Sequence, residues 1–211
     1  MRATNPFRKR FQVKTFWQKI SILSTLLSIS VTANATILTF DDLPGDLTDI
    51  PEGYGGFGWG HAASMNGHSQ LPGTGYDYGT VSPSNVGYNP GGYPMSMWVV
   101  GGTFTFHEAY FTAAWDSSTQ LRIWGFRNGI EVYYLSVTIN NLAPTLVSPN
   151  FSGIDSMMLM TGSQFAMDNF SATVVPEPST MLFLPLILVG LTIAKGTFSK
   201  SYAATLRIRM D

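Results

Sequence analysis

The central part of this 211-residue chain predicts an all-β fold, a β-sandwich or jelly roll that carries long loops rich in Gly and Tyr. Short runs of β-branched and aromatic residues recur along it, separated by turn residues. One pair of runs flanks Asn128-Gly129, a strong hairpin signal because a type I′ turn needs positive φ at both central positions. No stretch there keeps a 3.6-residue period without Gly or Pro, so no long helix is expected.

The strands are predicted from the same runs. Thr103 to Trp115 alternates Phe with Thr, as a strand with one buried face does. Leu121 to Arg127 and Ile130 to Ile139 are the two arms of the hairpin. The other predicted strands are Ile37 to Phe40, a short one near Phe57 to Ala62, Met95 to Val100, Thr145 to Ser148, Ile154 to Met160 and Gln164 to Val175.

The segment from Pro51 to Pro94 is too rich in Gly for long strands and too aromatic for ordinary disorder. It predicts long ordered loops over one face or end of the sandwich, and such loops are often functional. Some of their aromatic rings could offer flat faces to sugars, because an exposed ring combines apolar area with a polar tip. The candidates are two pairs, Trp59 with Tyr54 or Tyr76 with Tyr78. The alternative is that these rings pack as lids over the core.

Charge separates the central part from the two ends. Residues 36–175 contain only two cations, Arg122 and Arg127, against eleven acidic residues, a formal charge of −9. Such an acidic, Arg-poor domain is a poor binder of nucleic acid, and we exclude that class. The absence of cysteine from the sequence excludes disulfides, thiol nucleophiles and thiolate metal sites.

The first 35 residues have the form of a secretory signal peptide. Six cations precede an apolar stretch from Ile20 to Val31, and Ala33-Asn34-Ala35 fits a small-x-small cleavage site. Cleavage after Ala35 would leave an exported domain that begins at Thr36. The alternative is an uncleaved N-terminal anchor, which leaves export unchanged.

The C-terminal segment, residues 176–211, combines three features. Pro176-Glu177-Pro178-Ser179-Thr180 is followed by an uncharged run from Met181 to Ala194 and then by scattered Lys and Arg. This order resembles the PEP-CTERM sorting signal of Gram-negative bacteria. The resemblance implies recognition by an exosortase, with Pro176, Glu177 and Pro178 as the recognition element. It also implies a membrane helix, here 181–198, that holds the protein in the membrane during transit to the cell surface or the extracellular space.

Catalytic and metal-binding patterns are incomplete in the sequence. Gly67-His68-Ser69-Gln70-Leu71 begins like a nucleophile elbow but has Leu where the second Gly is required. Asp41 and Asp42 follow the first strand and Asp168 lies in the last. Since the first and last strands of a sandwich are often neighbours, these carboxylates could together bind Ca²⁺. The alternatives are a turn-forming Asp42 and an inward Asp168 that accepts hydrogen bonds from the backbone.

These observations favour a non-enzymatic exported protein of the cell surface or extracellular matrix, with a structural or adhesive role and carbohydrate as the expected ligand. Its expected partners are the secretion machinery, an exosortase-type enzyme, exopolysaccharide, and the membrane through the C-terminal helix before processing. The alternative is a secreted hydrolase acting on polysaccharide. A hydrolase should show converging carboxylates in a cleft, whereas a matrix protein should show aromatic rings on an open face.

Overall fold

The computed structural model describes residues 35–176, which form an all-β, sandwich-like fold of two antiparallel sheets, so the predicted fold class is confirmed at this level. The strands are β1 (Ala35–Leu38), β2 (Thr48–Asp49), β3 (Gly58–Gly60), β4 (Ala63–Asn66), β5 (Asn85–Tyr88), β6 (Met95–Trp98), β7 (Gly102–Ala113), β8 (Thr119–Arg127), β9 (Ile130–Ile139), β10 (Thr145–Val147), β11 (Phe151–Ile154), β12 (Ser156–Met160) and β13 (Phe165–Pro176). The short helices are α1 (Gly67–Gln70), α2 (Gly75–Tyr78) and the 3₁₀ turns Tyr54–Gly56 and Pro90–Gly92.

The larger sheet has eight strands in the order β10–β7–β13–β5–β4–β2, with β1 also beside β13 and β11 also beside β7. The smaller sheet has five, in the order β3–β6–β12–β8–β9. Alternate side chains of both sheets point into one hydrophobic core, because successive residues of a strand face opposite ways. Its central members are Phe104, Phe106 and Phe111 of β7, Leu121 and Ile123 of β8, and Met157 and Leu159 of β12.

The predicted hairpin is present. Asn128 and Gly129 both have positive φ, 52° and 74°, and Arg127 pairs with Ile130. Asn and Gly tolerate this left-handed backbone better than other residues. The turn therefore joins β8 directly to β9, which is an edge strand of the smaller sheet.

The strand predicted over 154–160 is present as β12 over 156–160, but its first two residues do not belong to it. The chain divides at Asp155 into β11, which pairs with β7, and β12, which pairs with β6 and β8. It therefore crosses from the larger to the smaller sheet at this residue. The polar pair Asp155-Ser156 marks this division in the sequence, but local sequence does not record which sheet each side joins.

The interpretation of 51–94 as loops was also wrong in part. β3, at an edge of the smaller sheet, is the short strand expected near Phe57 to Ala62, but β4 and β5 of the larger sheet were not expected. Glycine is required inside two of them, because a Cβ at Gly58 would overlap the Trp98 indole and one at Gly87 would crowd the Phe40 ring. The remainder does cover one face, since α2 packs over the outer side of the larger sheet around a second small core that contains Tyr76 and Tyr88.

The predicted signal peptide with Ala33, the sorting residues Glu177 and Pro178, and the membrane helix 181–198 lie outside the described residues, so they stay predictions. Ala35 begins β1 opposite Thr173, and Pro176 ends β13 opposite Gly102. The predicted signal-peptide cleavage site therefore lies at the start of β1, and the predicted sorting motif begins at the end of β13. Within 35–176, no helix is long and apolar enough to cross a bilayer.

Candidate functional site

Two of the four predicted sugar-binding aromatics are core residues. Trp59 is 8% exposed, and its ring lies within 6.5 Å of the rings of Phe40, Phe57 and Phe170. Tyr76 is 1% exposed, and burial raises the pKa of its hydroxyl. The expectation that these rings face a ligand was therefore wrong. The alternative interpretation, aromatic lids beside Gly-rich segments, describes them correctly.

The other two predicted aromatics do not make a surface together. Tyr54 is partly buried against the core and donates its hydroxyl proton to Oδ1 of Asp42 at 2.7 Å. Burial, followed by this hydrogen bond, raises the pKa of Tyr54. Tyr78, on α2, is 46% exposed, whereas the preceding Tyr76 ring is buried. Each of the two expected pairs, Trp59 with Tyr54 and Tyr76 with Tyr78, therefore contains one ring that is buried in a core.

Asp168 is a buried structural carboxylate. Its Oδ2 accepts hydrogen bonds from the backbone N–H groups of Val81 (2.7 Å) and Ser82 (2.8 Å). Its Oδ1 accepts from the Ser82 hydroxyl (3.0 Å) and the Asn169 N–H (2.6 Å). Burial raises the pKa of Asp168 to about 6, although the backbone donors oppose that rise. The alternative of an inward, backbone-bonded Asp168 is thus the correct one.

The three predicted calcium ligands do not converge. The first and last strands are neighbours as expected, with Leu38 opposite Phe170. However, Asp41 accepts from the Asn85 N–H at 2.9 Å, while Asp42 and Asp168 have the separate partners described above. Across residues 35–176, no three His, Asp or Glu side chains group in a way that could hold a metal ion. The predicted Ca²⁺ site of Asp41, Asp42 and Asp168 is therefore withdrawn.

One pair of polar residues was not expected. His68 and Asp77, on α1 and α2, are joined by Nδ1 and Oδ1 at 2.5 Å. A backbone bond from Gly73, followed by His68, lowers the pKa of Asp77. Ser69 lies inside α1 and donates its N–H to Asn66, which caps the helix, so it is not placed as the nucleophile of an elbow. The pair ties two surface turns together.

A different group of aromatic residues lies on the outer side of the smaller sheet. Along β8, Leu121, Ile123 and Gly125 are buried, and the intervening Trp124 and Phe126 face outward. The same alternation on the neighbouring strands turns further large side chains outward. This group, the aromatic face, consists of Trp98, Trp124, Phe126, Tyr134 and Met158.

Strand register places the members of the aromatic face in two rows across the sheet. In one row, Met158 lies opposite Trp124, and Trp124 lies opposite Tyr134. The Trp124 and Tyr134 rings are 5.4 Å apart at 47°. In the other row, Ser156 lies between Trp98 and Phe126. Strands two apart are separated by about 10 Å, so two large rings flank a small polar residue.

Trp98 owes its position to two glycines of β3. Gly58 lies opposite Trp98, and an added Cβ there would overlap the indole. At Gly60 an added Cβ would lie 2.4 Å from the Ser96 hydroxyl. Gly58 and Gly60 leave the outer side of β3 without side chains, so the Trp98 indole can lie against this edge strand.

Polar side chains continue the aromatic face along β8 and β9. Ser136 donates to Gln120 Oε1 at 3.0 Å, and Gln120 Nε2 donates to Thr138 at 2.7 Å. Arg122 lies opposite Ser136 on β9 and opposite Met160 on β12. We call this group the polar strip; it consists of Gln120, Arg122, Ser136 and Thr138. It begins at Arg122, the outward residue of β8 that comes two positions before Trp124. The outer side of the smaller sheet is therefore apolar in one half and hydrogen-bonding in the other.

An open depression of about 290 Å³ adjoins the Trp98 end of the aromatic face. Asp155, Asn128 and Ser156 line it together with Gly101 and Gly102. The Asp155 carboxylate accepts hydrogen bonds from the Asn128 N–H and the Ser156 hydroxyl. The depression thus offers polar groups next to a large aromatic ring, with a single carboxylate that is already hydrogen-bonded.

The aromatic face has a signal in the sequence. Residues 121–126 read Leu-Arg-Ile-Trp-Gly-Phe, so both sides of this strand are apolar near Trp124 and Phe126. An antiparallel strand at a sheet surface normally alternates with polar residues, and a departure indicates an exposed apolar face or a second packed layer. No protein-family model matches this chain, and no curated protein matches it either.

Proposed function

We propose that this chain is an exported, non-enzymatic protein of the cell surface or extracellular matrix that binds polysaccharide through the aromatic face. The observation that carries the proposal is the set of outward rings on the smaller sheet, formed by Trp98, Trp124, Phe126 and Tyr134. An open array of this kind is what distinguishes the matrix interpretation from the hydrolase interpretation.

The chemistry of the face suits a sugar chain. The flat C–H surface of a pyranose can stack on an indole or phenol ring, which supplies apolar contact area without losing much side-chain entropy. Sugar hydroxyls need hydrogen-bonding partners within reach, and the polar strip supplies amide and hydroxyl groups. Because the site is a broad sheet surface, it suits an extended polymer better than a small enclosed ligand.

The proposed export depends on the ends of the sequence. Ten of the twelve Lys and Arg residues of the sequence lie in its two ends. The resemblance to a PEP-CTERM signal implies exosortase processing near Pro176, Glu177 and Pro178. A strongly acidic domain between basic ends fits the positive-inside bias of translocated proteins. We therefore propose a membrane-held transit form followed by release or attachment at the surface.

Export is tested by intact-mass measurement of the surface-exposed protein in its native host. We expect a chain that begins at Thr36 and lacks the residues after the sorting motif. Glu177→Ala should retain the C-terminal segment, and Glu52→Ala, which removes an equal charge from an exposed position, should be processed normally. A surface form that keeps residues 177–211 would support a permanent membrane tether instead. Full-length protein confined to the cell interior would contradict export.

Polysaccharide binding is tested on the full chain in mild detergent, by retention on immobilised envelope polysaccharide. Trp124→Ala should reduce affinity by about five- to tenfold, since one stacked ring contributes roughly 1 kcal/mol or slightly more. The matched control is Trp115→Ala, which removes a ring that is 48% exposed but packs on Tyr76 at the larger sheet, away from the aromatic face. Equal retention of both variants would refute binding by the aromatic face.

The hydrolase alternative finds less support. Glycoside hydrolysis normally uses two carboxyl groups on either side of the scissile bond. The depression beside Trp98 contains one, Asp155, and its oxygens accept hydrogen bonds from Asn128 and Ser156. We therefore retain the non-enzymatic proposal.

A further inference from the structure

The two cations of the central sequence are both on β8. Arg122 and Arg127 are the only Lys or Arg residues in 36–175, and β8 contributes Trp124 and Phe126 to the aromatic face. Of the eleven acids, Glu131 on β9 and Asp155 beside Trp98 are near that face. The others lie on the larger sheet or on connecting segments.

Arg122 faces outward beside the rings. It alternates with the buried Leu121 and Ile123, and it lies one outward position, about 7 Å, from Trp124 along the strand. Within the described residues Arg122 forms no ion pair. Its neighbours across the strands are Ser136 and Met160, which are uncharged. The guanidinium is therefore placed to meet an anion on a ligand that covers the aromatic face.

We propose that the polymer bound by the aromatic face is an acidic polysaccharide, and that Arg122 selects it by binding a sugar carboxylate. The inference rests on the proposed polysaccharide binding and adds the chemical class of the ligand. A guanidinium presents parallel N–H donors that match the two oxygens of a carboxylate. The acidic groups of the larger sheet oppose this little, since charges separated by more than about 8 Å are largely screened at physiological salt. The two nearer acids lie at the other end of the face from Arg122: Glu131 is opposite Phe126, and Asp155 accepts hydrogen bonds from Asn128 and Ser156.

The test compares two polymers that differ only in charge: polygalacturonate and the same material after its carboxyl groups have been reduced to alcohols. The full chain in mild detergent is titrated with each polymer by calorimetry. We expect tighter binding of polygalacturonate. Arg122→Gln should weaken that binding about tenfold and leave the reduced polymer unaffected, whereas Trp124→Ala should weaken both.

Three controls separate charge recognition from folding and from net charge. Arg122→Lys keeps the cation without the planar fork and should fall between wild type and Arg122→Gln. Gln70→Glu makes the same change in net charge at an exposed position on α1 and should leave both affinities unchanged. Circular dichroism should show the same fold in every variant.

The outcomes separate the inference from the proposed function. Equal binding of the two polymers, with loss of both in Trp124→Ala, would overturn the inference and leave polysaccharide binding in place. Equal weakening of both polymers by Arg122→Gln would also overturn the inference. Binding of neither polymer would contradict the inference, while retention on envelope polysaccharide would still decide the proposed function.

Discussion

Trp59 and Trp124 belong to the same five-stranded sheet but point to opposite sides of it. The Trp59 ring lies in the core, and its Nε1 donates to the Tyr54 carbonyl at 3.0 Å. The Trp124 ring lies outside and contacts Tyr134. The same substitution, Trp to Ala, should therefore destabilise the protein at one position and reduce ligand binding at the other.

The expected magnitudes follow from burial. Removing a buried Trp side chain costs about 3–5 kcal/mol, because it leaves a cavity as well as losing apolar contacts. For a domain of about 140 residues the entropy of unfolding is roughly 0.3 kcal/mol per degree, so Trp59→Ala should lower Tm by about 10–17 °C. At the half-buried Trp124, loss of one ring contact costs roughly 1 kcal/mol, or about 3 °C.

The assay is thermal unfolding of both variants, followed by circular dichroism, with polysaccharide retention measured well below either Tm. Trp59→Ala that is still folded should bind like wild type, and Trp124→Ala should be stable and bind weakly. A nearly unchanged Tm for Trp59→Ala together with lost retention would refute the assignment of this ring to the core. It would restore the sequence-based hypothesis that Trp59 contacts sugar.

Two further predictions test the supports of the fold and of the face. Gly58→Ala should displace the Trp98 indole, because the new Cβ overlaps it, and should reduce polysaccharide retention; unchanged retention and unchanged Trp fluorescence would contradict this. Burial raises the pKa of Asp168 from 3.8 to about 6. Protonation of Asp168 therefore stabilises the folded state fully below a pH of about 3.8, and this stabilisation is lost as the pH rises through about 6. The resulting loss in the free energy of unfolding is about 3 kcal/mol. In urea titrations, wild type should therefore lose stability relative to Asp168→Asn between pH 4 and 7; a gain instead would mean that the N–H donors from Val81 and Ser82 outweigh burial.

Local patterns account for the parts of the fold that were predicted correctly. Asn128-Gly129 is a turn whatever surrounds it, because its positive φ angles are a property of those two residues. The alternation of Phe with Thr in β7 similarly identifies a strand with one buried face. Such signals need only a few consecutive residues, so β9 was bounded correctly from Ile130 to Ile139.

The errors arose where function or pairing depends on distant residues. Trp59 and Trp124 are both aromatic residues beside a glycine, and the only local difference is that apolar residues occupy both sides of the strand around Trp124. A short strand was expected around Gly58, but the need for glycine there could not be predicted, because it comes from Trp98, forty positions later. The three candidate calcium ligands were likewise separated by partners that only the folded chain supplies.

The sequence by itself determined the all-β class, the hairpin at Asn128-Gly129 and the acidic character of the central domain, since these follow from local geometry and composition. Only the tertiary structure decided which rings face solvent, because the side of a sheet is set by strand register and by which sheet each strand joins. Sheet pairing turned Trp98, Trp124 and Arg122 outward on one surface, and the same pairing buried Trp59 and Asp168.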